Sequence, residues 1–418
     1  MPQERITLLE NKRIILGVTG SIAVYKAVDL ASKLTQAGAL VDVIMTEAAM
    51  QFVTPLTFQS VTGRPVYTTM WMNDSSGGLP THVAHVGLGE EADLFIIAPI
   101  TANTIAKLAH GLADDLLSVT VLAARCPLII APAMDGGMYA HPATQANLRI
   151  LQERGVIVIE PEEGRFASGF IGKGRFPETP ALIGRVRQVL GRDGVLARRH
   201  IVVTAGGTRE PIDPVRYITN RSSGKQGYAV AQAALDAGAD VTLITTTHDL
   251  PVPEGARVIP VGTAEEMLQA VVACVDGADA LIMAAAVADF RPAVTATQKI
   301  KKSDDPNEGI QLSLSRNSDI LLAVKARRVE TGWPRVVVGF TAESQDLLAN
   351  AQSKLARKGL DLNVANDITA PDAGFEVDTN RVILLDAGGG QQELGLMSKA
   401  QVGEILIQRV ADLLSEKK

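Results

Sequence analysis

Aromatic residues are scarce in this chain, at 4% of 418 residues. Buried layers must therefore be filled by Ala, Val, Ile and Leu. A hydrophobic content of 46% supplies them, and such residues suit stacked helices and sheets. Cysteine is scarcer still. Cys126 and Cys274 lie far apart, which excludes a disulfide framework and fits a reducing compartment. Cys126, just before Pro127 at a strand start, reads as core. No apolar run approaches the roughly 18 residues of a membrane helix. The opening MPQERITLLENKR carries charge where a signal peptide has its apolar centre. Basic excess is absent, with a net charge of −6, which argues against a nucleic-acid partner. The expectation is a cytoplasmic protein with neither a membrane nor a nucleic-acid partner. A GxGxxG turn is missing as well. The first glycine turn reads Gly17-x-x-Gly20-Ser21, which gives no support to a nicotinamide dinucleotide.

What the chain does have is strands that end in small polar turns and feed helices. Its length favours two or three domains. Arg13 to Val18 reads as a buried strand, Ile22 to Ala37 as a helix closed by Gly38, and Leu40 to Met45 as the next strand. That is a βαβ unit and implies a parallel sheet. Leu94 to Pro99 and Leu128 to Pro132 are two more buried strands. Ser21, Thr46, Thr101 and Asn103 stand at strand ends, where doubly wound sheets bind ligands. Neutral donors of this kind suit a single phosphate, as in FMN, and they also cap helices. His82 and His85 are three apart and lack companions for a metal site, while either could serve as acid or base. Residues 160–178, EPEEGRFASGFIGKGRFPE, read as a glycine-rich and basic flap over an anionic ligand.

Gly191-Arg192-Asp193-Gly194 is the best break in the chain. We expect one domain over 1–191, a linker over 192–198 and a second domain over 199–418. The second opens with IVVTAGGTREPIDPVRYITNRSSGKQG at 201–227. An apolar strand there runs into Gly206-Gly207 and a long polar loop, then into an alanine-rich helix. Strand, glycine turn and helix form a common phosphate-holding arrangement. Further strands are expected over Asp240 to Thr245, Val258 to Val261, Ala280 to Met283, Arg335 to Phe340 and Leu360 to Asn366. Asp289 at a strand exit suits a Mg²⁺ or ribose contact. Gln298 to Lys302 packs three lysines that could neutralise phosphate charge. The fold class is α/β, with two doubly wound, mainly parallel-sheet, Rossmann-like domains.

Several segments of the first half are specific: GVTGSIAVYK, MTEAA, HVGLGEEADLFIIAPITANTIAKLAHGLADDLL, APAM-x-x-x-MY and ASG-x-x-GKGRF. Residues 13–178 so resemble the flavin-dependent cysteine decarboxylases, the family of phosphopantothenoylcysteine decarboxylase. The resemblance implies FMN held by Gly20, Ser21, Thr46, Pro99, Thr101 and Asn103, with His85 as the active-site histidine. The chain carries Asp135 where that family has asparagine, and Ser168 where it has cysteine. An ionised carboxylate accepts but cannot donate to a substrate carboxylate, and a hydroxyl lacks thiol redox chemistry.

The second half carries TAGGTREPIDPVRYITNRSSGKQG, AAAVADFRP, KIKK, GFTAE and LDLNVANDI. Over about 199–410 it resembles the CTP-using bacterial phosphopantothenate–cysteine ligases. The resemblance implies that Asn220 holds an acyl-cytidylate and that Lys299 neutralises the triphosphate. It implies CTP contacts at Met283, Ala284, Ala285, Asp289, Asn317, Ser318, Asp319, Ile320, Phe340, Lys354 and Lys358, with Mg²⁺ accompanying CTP. Together the halves imply a bifunctional enzyme of coenzyme A biosynthesis acting on 4′-phosphopantothenate, cysteine, CTP and 4′-phosphopantothenoylcysteine. A homo-oligomer with trimeric decarboxylase units and dimeric ligase units is expected. An alternative keeps the ligase but makes the first half a flavin-binding assembly module with weak decarboxylase activity.

Overall fold

The computed structural model describes residues 5–71, 84–165, 171–301, 310–343, 347–367 and 377–417. It divides into Met1–Leu190 and Gly191–Lys418.

In the first unit six short apolar runs pair into one parallel sheet. They are β1 (Arg13–Val18), β2 (Leu40–Met45), β3 (Val66–Tyr67), β4 (Leu94–Ile100), β5 (Leu128–Pro132) and β6 (Ile157–Val158). Their order is β3-β2-β1-β4-β5-β6, so the winding reverses between β1 and β4. β1 and β4 are buried along nearly their whole length, because helices cover both faces. Those helices are α1 (Val24–Gln36), α2 (Glu47–Met50), α3 (Pro55–Thr62), α4 (Ala84–Glu91), α5 (Ala102–His110), α6 (Leu116–Ala123), α7 (Gly136–Ala140), α8 (Pro142–Glu153) and α9 (Thr179–Gly191). Ile14, Leu16, Leu30, Val43 and Ile96 pack on one side of the sheet, and Ile15, Ile44, Phe95 and Ile97 on the other. Each such side chain contributes roughly 1.5–3 kcal/mol by leaving water. β7 (Glu162–Arg165) and β8 (Ile171–Arg175) form an antiparallel hairpin inside the segment expected to be a flap.

The second unit repeats the plan on a wider sheet. Its strands are β9 (His200–Ala205), β10 (Arg209–Pro211), β11 (Tyr217–Thr219), β12 (Asp240–Thr245), β13 (Arg257–Pro260), β14 (Ala280–Met283), β15 (Phe290–Pro292), β16 (Leu314–Arg316), β17 (Val336–Glu343), β18 (Leu362–Asp367), β19 (Thr379–Asp386) and β20 (Gln391–Ser398). The main sheet runs β13-β12-β9-β14-β17-β18-β19-β20 and reverses its winding between β9 and β14. Its antiparallel pairings are β18–β19 and β19–β20, and the others are parallel. The helices are α10 (Lys225–Asp236), α11 (Ala264–Val275), α12 (Ile320–Thr331), α13 (Leu347–Lys358) and α14 (Lys399–Glu416).

Several boundaries differ from the sequence reading, β4, β13 and β18 by one or two residues, and three more have a plain local reason. β17 runs past Phe340 to Glu343, because its ladder with β18 continues as far as Glu343–Asp367. The alanine-rich run from Tyr228 to Ala237 predicts a helix there, and α10 starts three residues earlier at Lys225, where Gly224 at φ 79° provides a left-handed cap. α1 starts at Val24, since Ser21 closes a turn whose carbonyl takes the Val24 N–H.

Candidate functional site

In the first unit the singled-out side chains meet at one edge of the sheet. The parallel registers Val18–Met45 and Ile100–Pro132 bring the carboxyl ends of β2, β1, β4 and β5 side by side. Thr46 follows β2 and caps α2, accepting the Ala49 N–H at 3.3 Å. Thr101 follows β4 and caps α5, accepting the Thr104 N–H at 3.4 Å. Ser21 follows β1, and its hydroxyl donates to the Ala133 carbonyl at 3.2 Å. Thr19 ties the edge together: its Oγ1 donates to the Pro99 carbonyl and accepts the Thr101 N–H, both at 3.0 Å. Gly20 packs against Ala48, where a Cβ would meet the Ala48 methyl at 2.5 Å. Asn103, in the first turn of α5, is exposed.

His85 stands in α4 with a buried Nδ1 that has no hydrogen-bond partner. An orphaned buried imidazole nitrogen is costly unless a ligand or water completes it. Asp135 is exposed and caps α7, its Oδ1 accepting the Gly137 N–H at 2.9 Å. The carboxylate thus has a partner in its own helix. Behind it, Tyr139 donates to Glu160 at 2.9 Å, and Lys173 on β8 pairs with the same carboxylate oxygen at 2.6 Å. Lys173 and the Tyr139 hydroxyl hold Glu160 below its ordinary pKa against the opposing effect of burial. Ser168 and His82 lie outside the described residues. Cys126 is half-buried, and burial pushes its thiol up to about 11, so it is an inert core thiol rather than a nucleophile.

These features fit a flavin mononucleotide. The cradle is an edge of neutral hydroxyl and amide groups and helix N-termini, which suits one phosphate monoester. The orphaned His85 nitrogen adds a group that awaits a partner.

The second unit encloses a cavity of about 810 Å³. Its wall is built from the turns after β11, β14 and β16 and the carboxyl end of β17, together with side chains from α13, β18, β19 and α14. The turn at 284–288 is fixed by its own backbone. Thr204 Oγ1 accepts the Ala285 N–H at 3.1 Å, Thr208 Oγ1 accepts the Ala288 N–H at 2.9 Å, and Gly206 accepts the Ala286 N–H at 2.8 Å. Asn220 donates from Nδ2 to the carbonyls of Ala286 and Val287, at 3.3 and 3.2 Å. Two carbonyls thereby fix which way its amide points. Asp319 caps α12, accepting the Leu321 and Leu322 N–H at 3.1 and 3.3 Å, and its other oxygen pairs with Lys358 at 3.0 Å. Lys354 donates to the Phe340 carbonyl at 3.0 Å. Asn317 donates to the Ala288 carbonyl and accepts from Arg291, both at 2.8 Å. Asp289 is an exposed carboxylate on the same wall.

Asn220, Met283, Ala284, Ala285, Asp289, Asn317, Ser318, Asp319, Ile320, Phe340, Lys354 and Lys358 all line this one cavity. Lys299 does not. It is exposed, on a strap outside the lining. Gly206 and Gly207 are also absent from the lining. Their lack of side chains instead lets neighbouring chain approach. A Cβ on Gly207 would stand 2.8 Å from the Asn220 carbonyl oxygen, and one on Gly206 would strike Thr246.

Lys225, at the end of the polar loop, also reaches the cavity, as do Asn366, Asn380 and Lys399, which sequence reasoning left out of the site. Lys225 pairs with Asp378 at 2.6 Å. Lys399 is 5% exposed; burial first, and then the Lys225 charge, push its amine down to about 8. Asn366 is 7% exposed, with a side-chain oxygen that has no partner. Among the described residues no cluster of three His, Cys, Asp or Glu groups is placed to hold a metal, and no helix is long and apolar enough to cross a membrane.

Residues 3–191 match the Flavoprotein family, and residues 196–414 match the DNA/pantothenate metabolism flavoprotein C-terminal domain. The coenzyme A biosynthesis bifunctional protein CoaBC of Bacillus subtilis (strain 168) is 46% identical over 409 residues, covering 97% of this chain and 98% of that protein. The CoaBC of Mycobacterium tuberculosis (strain ATCC 25618 / H37Rv) is 45% identical over 415 residues, covering 97% of each. The CoaBC of Vibrio vulnificus (strain CMCP6) is 41% identical over 406 residues, covering 97% of this chain and 99% of that one. A solved C-terminal domain of CoaBC is 32% identical, covering 53% of this chain and 99% of its own, with a TM-score of 0.45. With both units matched, and relatives alike over nearly the whole length, the chain belongs to the CoaBC family of bifunctional coenzyme A biosynthesis proteins.

Proposed function

We propose that the second unit joins cysteine to 4′-phosphopantothenate using CTP, and that the first decarboxylates the product, 4′-phosphopantothenoylcysteine, with FMN. The observation that carries this reading is the single cavity with two sets of lysines on its wall. Lys354 and Lys358 come from α13, and Lys225 and Lys399 from the starts of α10 and α14. Two cationic groups suit a reaction with two anionic substrates.

In the first step the 4′-phosphopantothenate carboxylate attacks the α-phosphorus of CTP. An acyl–phosphate bond forms and pyrophosphate leaves. In the second step the cysteine amine attacks the acyl carbon, loses a proton, and CMP leaves. Asn220 holds the intermediate from a geometry already fixed by two carbonyls, so little reorganisation is needed. Lys354, Lys358 and Lys299 offset the triphosphate charge. Mg²⁺ accompanies the triphosphate, with Asp289 the carboxylate on the wall suited to meet it.

In the first unit Ser21, Thr46, Thr101 and Asn103, with the turns at Gly20 and Pro99, hold FMN. Bound FMN supplies a reversible two-electron oxidation that makes loss of the carboxylate easy. His85 holds or moves a proton at its unpartnered Nδ1, and Ser168 passes a proton. Trimeric first units and dimeric second units complete the reading; exposed Ile22, Tyr25, Phe52 and Leu56 in the first unit and Val215, Tyr217, Val294 and Leu314 in the second leave apolar surface open to other copies. The enzyme works in the cytoplasm.

One observation favours a second reading for the first unit. Asp135 spends an oxygen on its own helix and, when ionised, has no proton to donate to a substrate carboxylate. The first unit would then be a flavin-binding assembly module. The test is CO₂ release from 4′-phosphopantothenoylcysteine by the purified, flavin-loaded protein, beside Asp135→Asn and Ser168→Cys. Release by the unaltered protein is expected. No release by the unaltered protein, with release appearing in Asp135→Asn, would establish the assembly reading.

A further inference from the structure

Asp213 is a buried carboxylate, 3% exposed, that none of the chemistry above uses. It sits in the turn joining β10 to β11. Its Oδ1 accepts the backbone N–H of Val215 and of Arg216, both at 2.8 Å, which closes the turn. Its Oδ2 reaches further along the chain. It accepts the Ile300 N–H at 3.2 Å and pairs with the Arg216 guanidinium at 3.0 Å. That guanidinium also donates to the Ile300 carbonyl at 2.5 Å. Both backbone polar groups of Ile300 are therefore held by Asp213 and Arg216. Two more bonds run alongside. The Ala296 N–H meets the Ile212 carbonyl at 2.9 Å, and Thr295 donates to the Pro211 carbonyl at 3.2 Å. Burial alone would raise the Asp213 carboxyl; the three N–H donors and Arg216 outweigh it and hold it below the ordinary value.

Closing a turn explains half of these bonds. The other half fixes a strap 87 residues away in sequence. That strap carries exposed Lys299 and Lys301 on either side of Ile300. The same ribbon, through β11, leads directly to Asn220 on the cavity wall. A lysine that works from an exposed strap pays heavily in ordering unless its backbone is already fixed.

We infer that Asp213 is a positioning residue for ligation: through Ile300 it fixes the backbone from which Lys299 acts on the triphosphate. The inference rests on the reading of Lys299 given above. It makes the β10–β11 ribbon a bar that sets Asn220 at one end and the lysine strap at the other.

The test uses the full-length protein and CTP-dependent pyrophosphate release, with CTP and 4′-phosphopantothenate varied separately. The variants are Asp213→Asn, Lys299→Met and the double. Asparagine keeps one acceptor for the turn but has to set an NH₂ against a donor on the other side. Asp213→Ser, which retains an oxygen for the turn and cannot reach Ile300, serves if the amide variant fails to fold. The expected result is a rise of about tenfold in KM for CTP, little change in KM for 4′-phosphopantothenate, and a double variant no worse than Lys299→Met. Equal rises in both KM values, or the same loss with and without Lys299, would reduce Asp213 to a fold-supporting residue and overturn the inference. If Lys299→Met itself turns over CTP normally, the reading of Lys299 falls, and the inference with it.

Discussion

Lys399 shows how much a single residue can hide. In the sequence it is one lysine at the start of a helix, a pattern that ordinarily means a solvated surface. Its burial comes from α14 packing on α10, with Gln226 donating to the Lys399 carbonyl at 3.1 Å. No local pattern encodes that contact. The consequence can be measured. The folded amine titrates near 8, well below the ordinary 10.5. Between those values the unfolded chain binds a proton that the folded chain lacks, so this residue makes stability rise with pH across that window. Anion binding follows the opposite sign, because only the charged amine attracts phosphate. KM for 4′-phosphopantothenate should rise as pH passes about 8. Lys399→Met should show a higher KM at pH 7 and lose that pH dependence. A parallel rise in both proteins would remove Lys399 from the binding role. Asn220, by contrast, was legible from its motif, and its two carbonyl partners now give the reason for an amide at that position. Asn220→Asp places a carboxylate against those carbonyls. It should cost about 100-fold or more in ligation while flavin content holds. Unchanged turnover would argue against the assignment.

At the scale of elements, legibility followed the length and contrast of each segment. β2 was read over its observed range because an apolar run lies between Gly38 and Thr46. β10, β11, β15 and β16 were missed. Each has three residues, too few for a periodic pattern to show, and β15 pairs with a strand more than twenty residues further along the chain. Helix starts at Asp115, Asp135 and His141 are marked by capping side chains and still escape the sequence reading, because such residues are equally common in turns. Asp319 is also a capping residue and allows a clean separation of roles. Asp319→Ala removes the cap of α12 and should cost about 1 kcal/mol, seen as a melting shift of about 2–4 °C in a unit of this size. Asp319→Asn keeps a capping oxygen and should melt within a degree or so of the unaltered protein. Equal losses in both variants would mean that the Lys358 pair, not the cap, carries the stability.

Over the whole molecule, the architecture was the most legible layer. Runs of buried β-branched residues alternating with helices leave few choices besides parallel, doubly wound sheets. Each unit then builds its cores from its own residues. Damage to one core should therefore leave the other activity standing. Ile96→Ala, in the middle of β4, should cost about 2–5 kcal/mol and lower flavin retention while CTP-dependent pyrophosphate release persists. Leu243→Ala, in β12, should do the reverse. Flavin absorbance and pyrophosphate release, measured on the same preparations, check both. Joint loss in either variant would show that the two units depend on each other for folding.

Both sheets reverse their winding once, between β1 and β4 and between β9 and β14. A reversal parts the helices on either side and leaves a crevice at the carboxyl edge, whatever loops surround it. For the lineage that produced this chain, the place of the chemistry is thus inherited with the topology, while its character is open to revision one side chain at a time. Aspartate at position 135, where the family that residues 13–178 resemble has asparagine, is a difference of that kind. It changes which protons are on offer in the crevice and leaves the crevice where it was.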